Sequence, residues 1–340
     1  MTIEARTPTR IDLAGGTLDI HPLYLFAGGG LTVNMAITLY SKVTIDRLQG
    51  TRVVLHSEDI GDTQEADHPS ALALGGPLDL LARAVKFYLP NGGVRVTTRN
   101  LAPRGSGLGA SSSLLMALSA ALAAAGHHDY RLQDYIDWGA NLEAQNLGIP
   151  TGKQDYYAAI YGGALAIHFE VKGGRVERLV LPPAFVKILE EQLVLSFTGI
   201  SHFSGTSNWA MTKRYIDKAG DTVERLHRIK DTAHKMLKVL VAGDMDGFAT
   251  ALNEEWENRR GLADGVSTPS IDAMMAAATQ AGALANKICG AGGGGCMITL
   301  AAPGRRQAVE QALTGAGARV LSYGLDPDGL QVKTHEVAPH

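Results

Sequence analysis

The stretch PRGSGLGASSS, residues 103–113, constrains this chain more than any other. It follows a run that alternates like a strand, GVRVTTRNL at 93–101, and leads at once into SLLMALSAALAAAG at 113–126. That second run is rich in Ala and Leu, apolar nearly all round, and ends on a glycine, which predicts a buried helix. A flexible linker would continue into polar or irregular sequence, so the linker reading is the weakest. A plain strand-to-helix turn needs one or two glycines, whereas Gly105, Gly107 and Gly109 occupy alternate positions. The third reading is an anion cradle. Residues without Cβ atoms let successive backbone N–H groups converge, and the start of the following helix adds free N–H groups and a positive dipole end. Ser106, Ser111, Ser112 and Ser113 offer hydroxyls for a helix cap or a hard cation.

Other glycine fingerprints do not fit. No Gly-x-x-x-x-Gly-Lys-Ser/Thr occurs: Gly148 and Gly152-Lys153 stand too close together, and Gln154 follows. The spacing is Gly-x-Gly-x-Gly rather than Gly-x-Gly-x-x-Gly, and Asp129 gives a dinucleotide site only weak support. A His-Arg-Asp loop and an Asp-Phe-Gly are both absent. The residues alone therefore point to a nucleotide or phosphate loop of an unusual type, with a bland turn as the alternative.

The rest of the chain limits what such a loop can serve. Its 340 residues allow two domains with a substantial core. Hydrophobic residues at 45% and charged residues at 19% describe a globular protein. A formal charge of −3 offers no general basic surface for nucleic acid or anionic lipid, so neither is an expected partner. No apolar run of about 18 residues suggests a membrane span. The opening MTIEARTPTRIDLAGG carries Glu4, Arg6 and Arg10 and no apolar stretch of signal-peptide length. Cys289 and Cys296 make neither a disulfide framework nor an evident metal pair, and they read as small core residues in a reduced, cytoplasmic compartment.

Strand signals fall within 31–57, and an amphipathic helix over 77–89 carries Leu78, Leu81, Val85 and Leu89 at helical spacing. A further helix is expected over 132–148 and a hairpin over 163–181. EQLVLSFTG reads as a buried strand, followed by helices over roughly 221–242, 244–260 and 270–283, then a glycine turn feeding a strand. The last 35 residues read as helix, strand and strand. Strand runs and helix runs do not alternate strictly, so the fold class is α+β, with a boundary near 180 dividing 1–180 from 181–340. The charged faces of HDYRLQDYIDW and NEEWENRR read as ordinary solvated helix, and His127 and His128 as exposed residues past a helix end.

The stretch PRGSGLGASSS resembles the phosphate-binding motif of the GHMP kinases. RTPTRIDLAGGTLDI at 6–20 is similar to that family's N-terminal motif, and KICGAGGGGCMITL at 287–300 to its C-terminal glycine motif. All three stand in the family's order. GKQDYYAAIYGG, FTGISHFSG and NEEWENRRGL look like its sugar-1-kinase branch, with D-glycero-D-manno-heptose 7-phosphate as the first candidate acceptor. GGTLDIHPLYLFAGG departs from the expected Gly-Thr-Asp-Leu pattern by one residue and a His-Pro, which leaves the sugar open. The resemblance implies an N-terminal ribosomal-protein-like α/β domain, a C-terminal ferredoxin-like domain, and an active site between them. It implies ATP and Mg²⁺, a small-molecule partner, and phosphorylation of an anomeric hydroxyl. It leaves the oligomeric state open, a homodimer included.

Residue by residue, the resemblance implies that Gly105, Ser106, Gly107, Leu108, Gly109, Ala110, Ser111 and Ser112 hold the nucleotide. Ser111 and Glu143 would ligate Mg²⁺, with a helix cap and a solvated helical Glu as the plainer accounts. Asp155 would be the catalytic base, or else an Asp capping a helix around 156–161. Arg10 would stabilise developing charge, or else be a surface Arg entering a strand. Asp19, Gly16, Thr17, Gly292 and Gly293 are expected at the substrate, where Asp19 would accept hydrogen bonds from sugar hydroxyls. Lys153 is a weaker candidate for the phosphates or Asp155, and Arg83, Lys86, Arg99 and Arg104 are candidates for a distal sugar phosphate. A fucose, galactose or mevalonate type of kinase, a nucleotide-binding sensor without turnover, and a dinucleotide-dependent oxidoreductase are the alternatives.

Overall fold

The computed structural model describes residues 1–200 and 204–335. Of FTGISHFSG, residues 201–203 therefore lie outside the described residues. The first half runs β1 (Thr2–Ala14), α1 (Leu23–Phe26), β2 (Gly30–Arg47), β3 (Val53–Ser57), β4 (Asp62–Ala66), α2 (Asp79–Tyr88), β5 (Val94–Asn100), α3 (Ala110–Ala125), α4 (Leu132–Leu147), α5 (Gln154–Tyr161), β6 (Ala164–Glu170) and β7 (Gly173–Leu179). The second half runs α6 (Pro183–Gln192), β8 (Leu193–Phe197), α7 (Ser204–Ile216), α8 (Thr222–Ala242), α9 (Met245–Arg259), α10 (Pro269–Gln280), β9 (Ala283–Ile288), β10 (Cys296–Ala301), α11 (Arg306–Gly315), β11 (Arg319–Leu321) and β12 (Gln331–His335). Among the described residues, no helix is long and apolar enough to cross a membrane.

The first sheet has the order β12-β1-β2-β5-β3-β4, with β6 on β2 and β7 on β6. The length of β2 is used on both sides. One side pairs with β1 from Thr2–Asp46 to Ala14–Val33. The other pairs with β6 over Gly30–Met35 and with β5 over Ser41–Arg47. The second sheet has the order β11-β8-β10-β9. Its strands, taken in chain order, lie fourth-first-third-second, with helices after the first and third, which is the ferredoxin-like arrangement.

Helix α3 is buried nearly all round, as its composition predicts, and packs against β1, β2, α2, α4 and α5. Local signals bound its neighbours. The Asp134 carboxylate accepts from Arg131 N at the start of α4, and Gly148 ends that helix in the left-handed region at φ +71°. Thr268 accepts from Ile271 N at the start of α10, with Pro269 at the first helical position.

Two features lie outside the sequence reading. β12 returns to the first sheet and pairs antiparallel with β1, Thr2 opposite His335, so the final strand of the 181–340 unit belongs to the other unit's sheet. A strand's pattern shows which face it buries and not which edge it joins. One hydrophobic cluster also runs across residue 180, joining Ile11, Leu13 and Val33 to Leu195, Phe248, Ala285 and Ile298.

Candidate active site

The end of β1, the start of α3, the start of α5 and the β9–β10 turn converge on a cleft of about 190 Å³. The glycines of the 103–113 loop have a geometric reason for alternating. Gly105, Gly107 and Gly109 take φ of +64°, +68° and +73°, a left-handed region that side chains with a Cβ avoid. Two of them also allow close approach. A Cβ on Gly107 would lie 2.6 Å from the Cys289 carbonyl oxygen, and one on Gly109 would lie 2.7 Å from Asp155 Cγ. The loop is thus pressed between the β9–β10 turn and Asp155.

The three serines diverge from there. Ser111 lines the cleft and is exposed. Ser112 is buried and donates to Glu143 Oε2 at 2.7 Å. Ser113 is buried and meets the Thr7 hydroxyl on β1 at 2.9 Å. Gly109 occupies the cap of α3 and no side chain caps it, so Ser111 is not the helix cap. Leu108 is fully buried, does not line the cleft, and gives its carbonyl to Arg10 N at 3.1 Å. Ser106 lines the cleft and accepts Cys296 N on its carbonyl at 2.7 Å.

Arg10 is no surface residue. It is 4% exposed, donates through Nη1 to Gly107 O at 2.6 Å, and meets Asp155 Oδ1 through Nε at 2.7 Å and Nη2 at 2.5 Å. Asp155 sits in the first turn of α5, where the helix dipole favours its charge. Its carboxylate serves Arg10 and caps nothing, since α5 has no side-chain cap. Burial pushes Asp155 above the ordinary carboxylate range, while Arg10 pulls the other way. Burial works against the charge of Arg10 also, but Asp155 and Asp12 outweigh it.

Glu143, on α4, is buried at the cleft wall and accepts Ser112 and the Tyr156 hydroxyl on the same oxygen, Oε2. Burial raises its pKa, and the Ser111, Tyr156 and Ser112 hydroxyls favour its charge. Asp19 is buried too, accepts Gln154 N at 3.0 Å, and is raised to about 6, first by burial and then by the nearby Asp155 and Asp12. An isolated bridge from Ile20 to Gly152 fastens this segment to the start of α5. Gly16 and Thr17 line the cleft beside it.

Gly292 and Gly293 do not reach the cleft lining, which takes Gly290 and Ala291 instead. Gly293 N donates to Val266 O at 2.7 Å, and a Cβ on Gly295 would lie 2.7 Å from Ser106 O. That glycine run buttresses the 103–113 loop from behind. Lys153 lies 3.9 Å from Asp137 and outside the lining. Arg83 pairs with Asp79, Lys86 donates to Ser70 O, and Arg99 lies near Glu58; none of these, nor Arg104, lines the cleft. Cys289 and Cys296 are buried free thiols, and His127 and His128 are exposed.

The reading of NEEWENRR as solvated helix is overturned. Glu255 and Arg259 are fully buried and paired, Arg259 Nη2 to Glu255 Oε1 at 2.6 Å, while Glu254 and Glu257 face outward. The available signal was spacing, since Glu255 and Arg259 extend the face carried by Phe248 and Leu252. Asp12 and Lys287 were also missed. They meet at 2.8 Å, both fully buried.

The site also suits a small hard cation. Among the described residues no cluster of three or more His, Cys, Asp or Glu could hold a metal alone. One carboxylate and one hydroxyl, Glu143 and Ser111, stand together at the cleft. That sparse all-oxygen set suits Mg²⁺, which relies on phosphate and water for its remaining ligands.

Residues 78–163 match the GHMP kinases N terminal domain, and residues 236–319 the GHMP kinases C terminal. The chain is 28% identical to D-glycero-alpha-D-manno-heptose 7-phosphate kinase of Campylobacter jejuni, over 97% of this chain and 98% of that protein. It is 30% identical to a mevalonate kinase of Thermococcus onnurineus, over 73% of this chain and 70% of that one. The crystal structure of a D-glycero-D-manno-heptose 1-phosphate kinase from Bacteroides thetaiotaomicron superposes with a TM-score of 0.80 at 28% identity, covering 98% of this chain and all of that one. With both family domains in order, and a paired Arg and Asp facing a glycine loop, this chain belongs to the GHMP kinases, ATP-dependent phosphotransferases with an alcohol group as acceptor.

Proposed function

We propose that this kinase phosphorylates the anomeric hydroxyl of a sugar phosphate, with D-glycero-D-manno-heptose 7-phosphate as the best candidate. The observation that carries the reading is the pair of buried carboxylates in one cleft. Asp155 is paired to Arg10, and Asp19 is paired to no cation among the described residues. A polyhydroxyl acceptor needs both a base and a hydrogen-bond acceptor that fixes its ring. The end-to-end likeness to the heptose 7-phosphate kinase supports the same reading, because the mevalonate kinase match spans about 70% of its relative.

Asp155 takes the proton from the acceptor hydroxyl, whose oxygen attacks the terminal phosphorus of ATP as the bond to ADP breaks. Burial keeps Asp155 more basic than a solvated carboxylate. Arg10 holds that carboxylate in place and offers positive charge to the transferring phosphoryl. Backbone N–H groups of residues 105–107 and 109–112, at the start of α3, receive the phosphates. Ser111 and Glu143 would hold Mg²⁺, which supplies neutralising charge to the phosphates when bound. The enzyme acts in the cytoplasm on this reading.

The test is ADP release from Mg-ATP against heptose 7-phosphate, mannose, fucose, galactose and mevalonate. Turnover on heptose 7-phosphate at least tenfold above the others supports the assignment. Preference for mevalonate refutes it, and ATP binding without turnover on any acceptor points to a sensor.

A further inference from the structure

Beneath the cleft lies a charge cluster that phosphoryl transfer does not use. Asp12, Glu255, Arg259 and Lys287 are all fully buried. Lys287 Nζ donates to Asp12 Oδ2 at 2.8 Å and stands 3.7 Å from Glu255 Oε2. Arg259 engages Glu255 through Nε and Nη2. The cluster is balanced, two carboxylates against two cations.

The remaining donors of Arg259 leave the cluster and reach the cleft wall. Nη2 donates to Gly16 O at 2.8 Å, and Nη1 to Thr17 Oγ1 at 3.2 Å and Gly290 O at 3.4 Å. Gly16, Thr17 and Gly290 all line the cleft. Thr17 is itself unusual, a buried β-branched residue at φ +78°. Such a residue persists in the left-handed region only where its surroundings over-determine it. A Cβ on Gly16 would lie 2.7 Å from Asp12 Oδ2 and 3.1 Å from Arg259 Nη2, so the bare backbone there is what lets the guanidinium approach. A guanidinium presents five donors in a fixed planar fork, against three on an ammonium, and here it spans the Glu255 carboxylate and three acceptors at the cleft wall.

We infer that Arg259 is a positioning residue. From the second half of the chain it holds the Gly16–Thr17 turn with Thr17 in the left-handed region, and that turn sets Asp19 in the acceptor end of the cleft. This rests on Asp19 binding the acceptor, as proposed above. The turn's own amides report on it, since Leu18 N donates to Gly15 O and Ile20 N to Thr17 O, each at 3.2 Å.

Arg259→Lys keeps a cation beside Glu255 and loses the fork. Glu255→Gln with Arg259→Gln is a charge-balanced second variant. Hydrogen exchange in whichever variant folds is expected to be more than about tenfold faster at Leu18 and Ile20, with β1 amides at Ile3 and Ala5 within about twofold of wild type. The KM for the acceptor is expected to rise more than about tenfold, with kcat and the KM for ATP within about threefold. Unchanged exchange at Leu18 and Ile20, equal loss of protection along β1, or failure of both variants to fold overturns the inference. The exchange result needs no acceptor, so wild-type enzyme that turns over no sugar would fail the functional reading and leave this one decided separately.

Discussion

Replacing Asp155 with Asn removes the proposed base while keeping its shape. The Asn oxygen can still accept from Arg10, which now contacts Oδ1 at 2.5 and 2.7 Å. What disappears is the charge that balances a guanidinium only 4% exposed. Breaking a buried pair outright costs about 3–5 kcal/mol. Arg10 keeps its bond to Gly107 O at 2.6 Å and the nearby charge of Asp12, so we expect a loss of about 1–3 kcal/mol in stability. A general base contributes about 10²–10⁴ in rate, which corresponds to about 3–5 kcal/mol of barrier. The kcat of Asp155→Asn should fall by that factor, with ATP affinity within about threefold because the loop proposed to hold the phosphates is untouched. ADP release at saturating Mg-ATP, nucleotide calorimetry and thermal unfolding measure the three quantities. A folded variant with kcat within tenfold of wild type would refute the assignment. Loss of ATP affinity matching the loss in kcat would make Asp155 a nucleotide-holding residue instead.

Gly109→Ala adds a methyl at φ +73° and 2.7 Å from Asp155 Cγ, so it should cost about 1–2 kcal/mol in backbone strain and displace the carboxylate. We expect kcat to drop about 10- to 100-fold, and to drop little further in the Asp155→Asn background, which steady-state kinetics on the double variant checks. Asp19, at about 6 against an ordinary 3.8, is more easily protonated folded than unfolded. Its contribution to stability is present below about pH 4 and lost as pH rises through about 6, a swing of about 3 kcal/mol. Unfolding midpoints for wild type and Asp19→Asn across that range should converge at low pH and separate above it, the variant being the more stable. Parallel curves would show that Asp19 is not perturbed.

Much of this site was legible because it is local. A loop needing three left-handed residues at alternate positions declares itself through glycine, and Gly105, Gly107 and Gly109 meet that need. The helix after it declares itself through apolar residues on every side. Glu143 and Asp155 were named from their places in motifs, and the fold brings both to the same cleft. The second glycine run was recognised as a close-approach element, but its role is to support the loop, because Gly292 and Gly293 face Val266 rather than the cleft. Composition shows that backbone must come close and not what it comes close to.

The amino-acid sequence by itself determined the α+β class, the positions of most helices and strands, and the left-handed glycine loop at 103–113, since each depends on periodicity or backbone freedom within a few residues. Only the tertiary structure decided which charges are buried. Arg10 and Asp155 stand 145 positions apart and Lys287 and Asp12 275 apart, and no local pattern marks a partner at that range. Glu255 and Arg259 look like the solvated face of a charged helix until Lys287 of the second sheet and the Gly16–Thr17 turn close over them. Desolvation, set by that packing, then raises the carboxyls of Asp155, Asp19 and Glu143 above their ordinary range and leaves the charges beneath them to pair with one another.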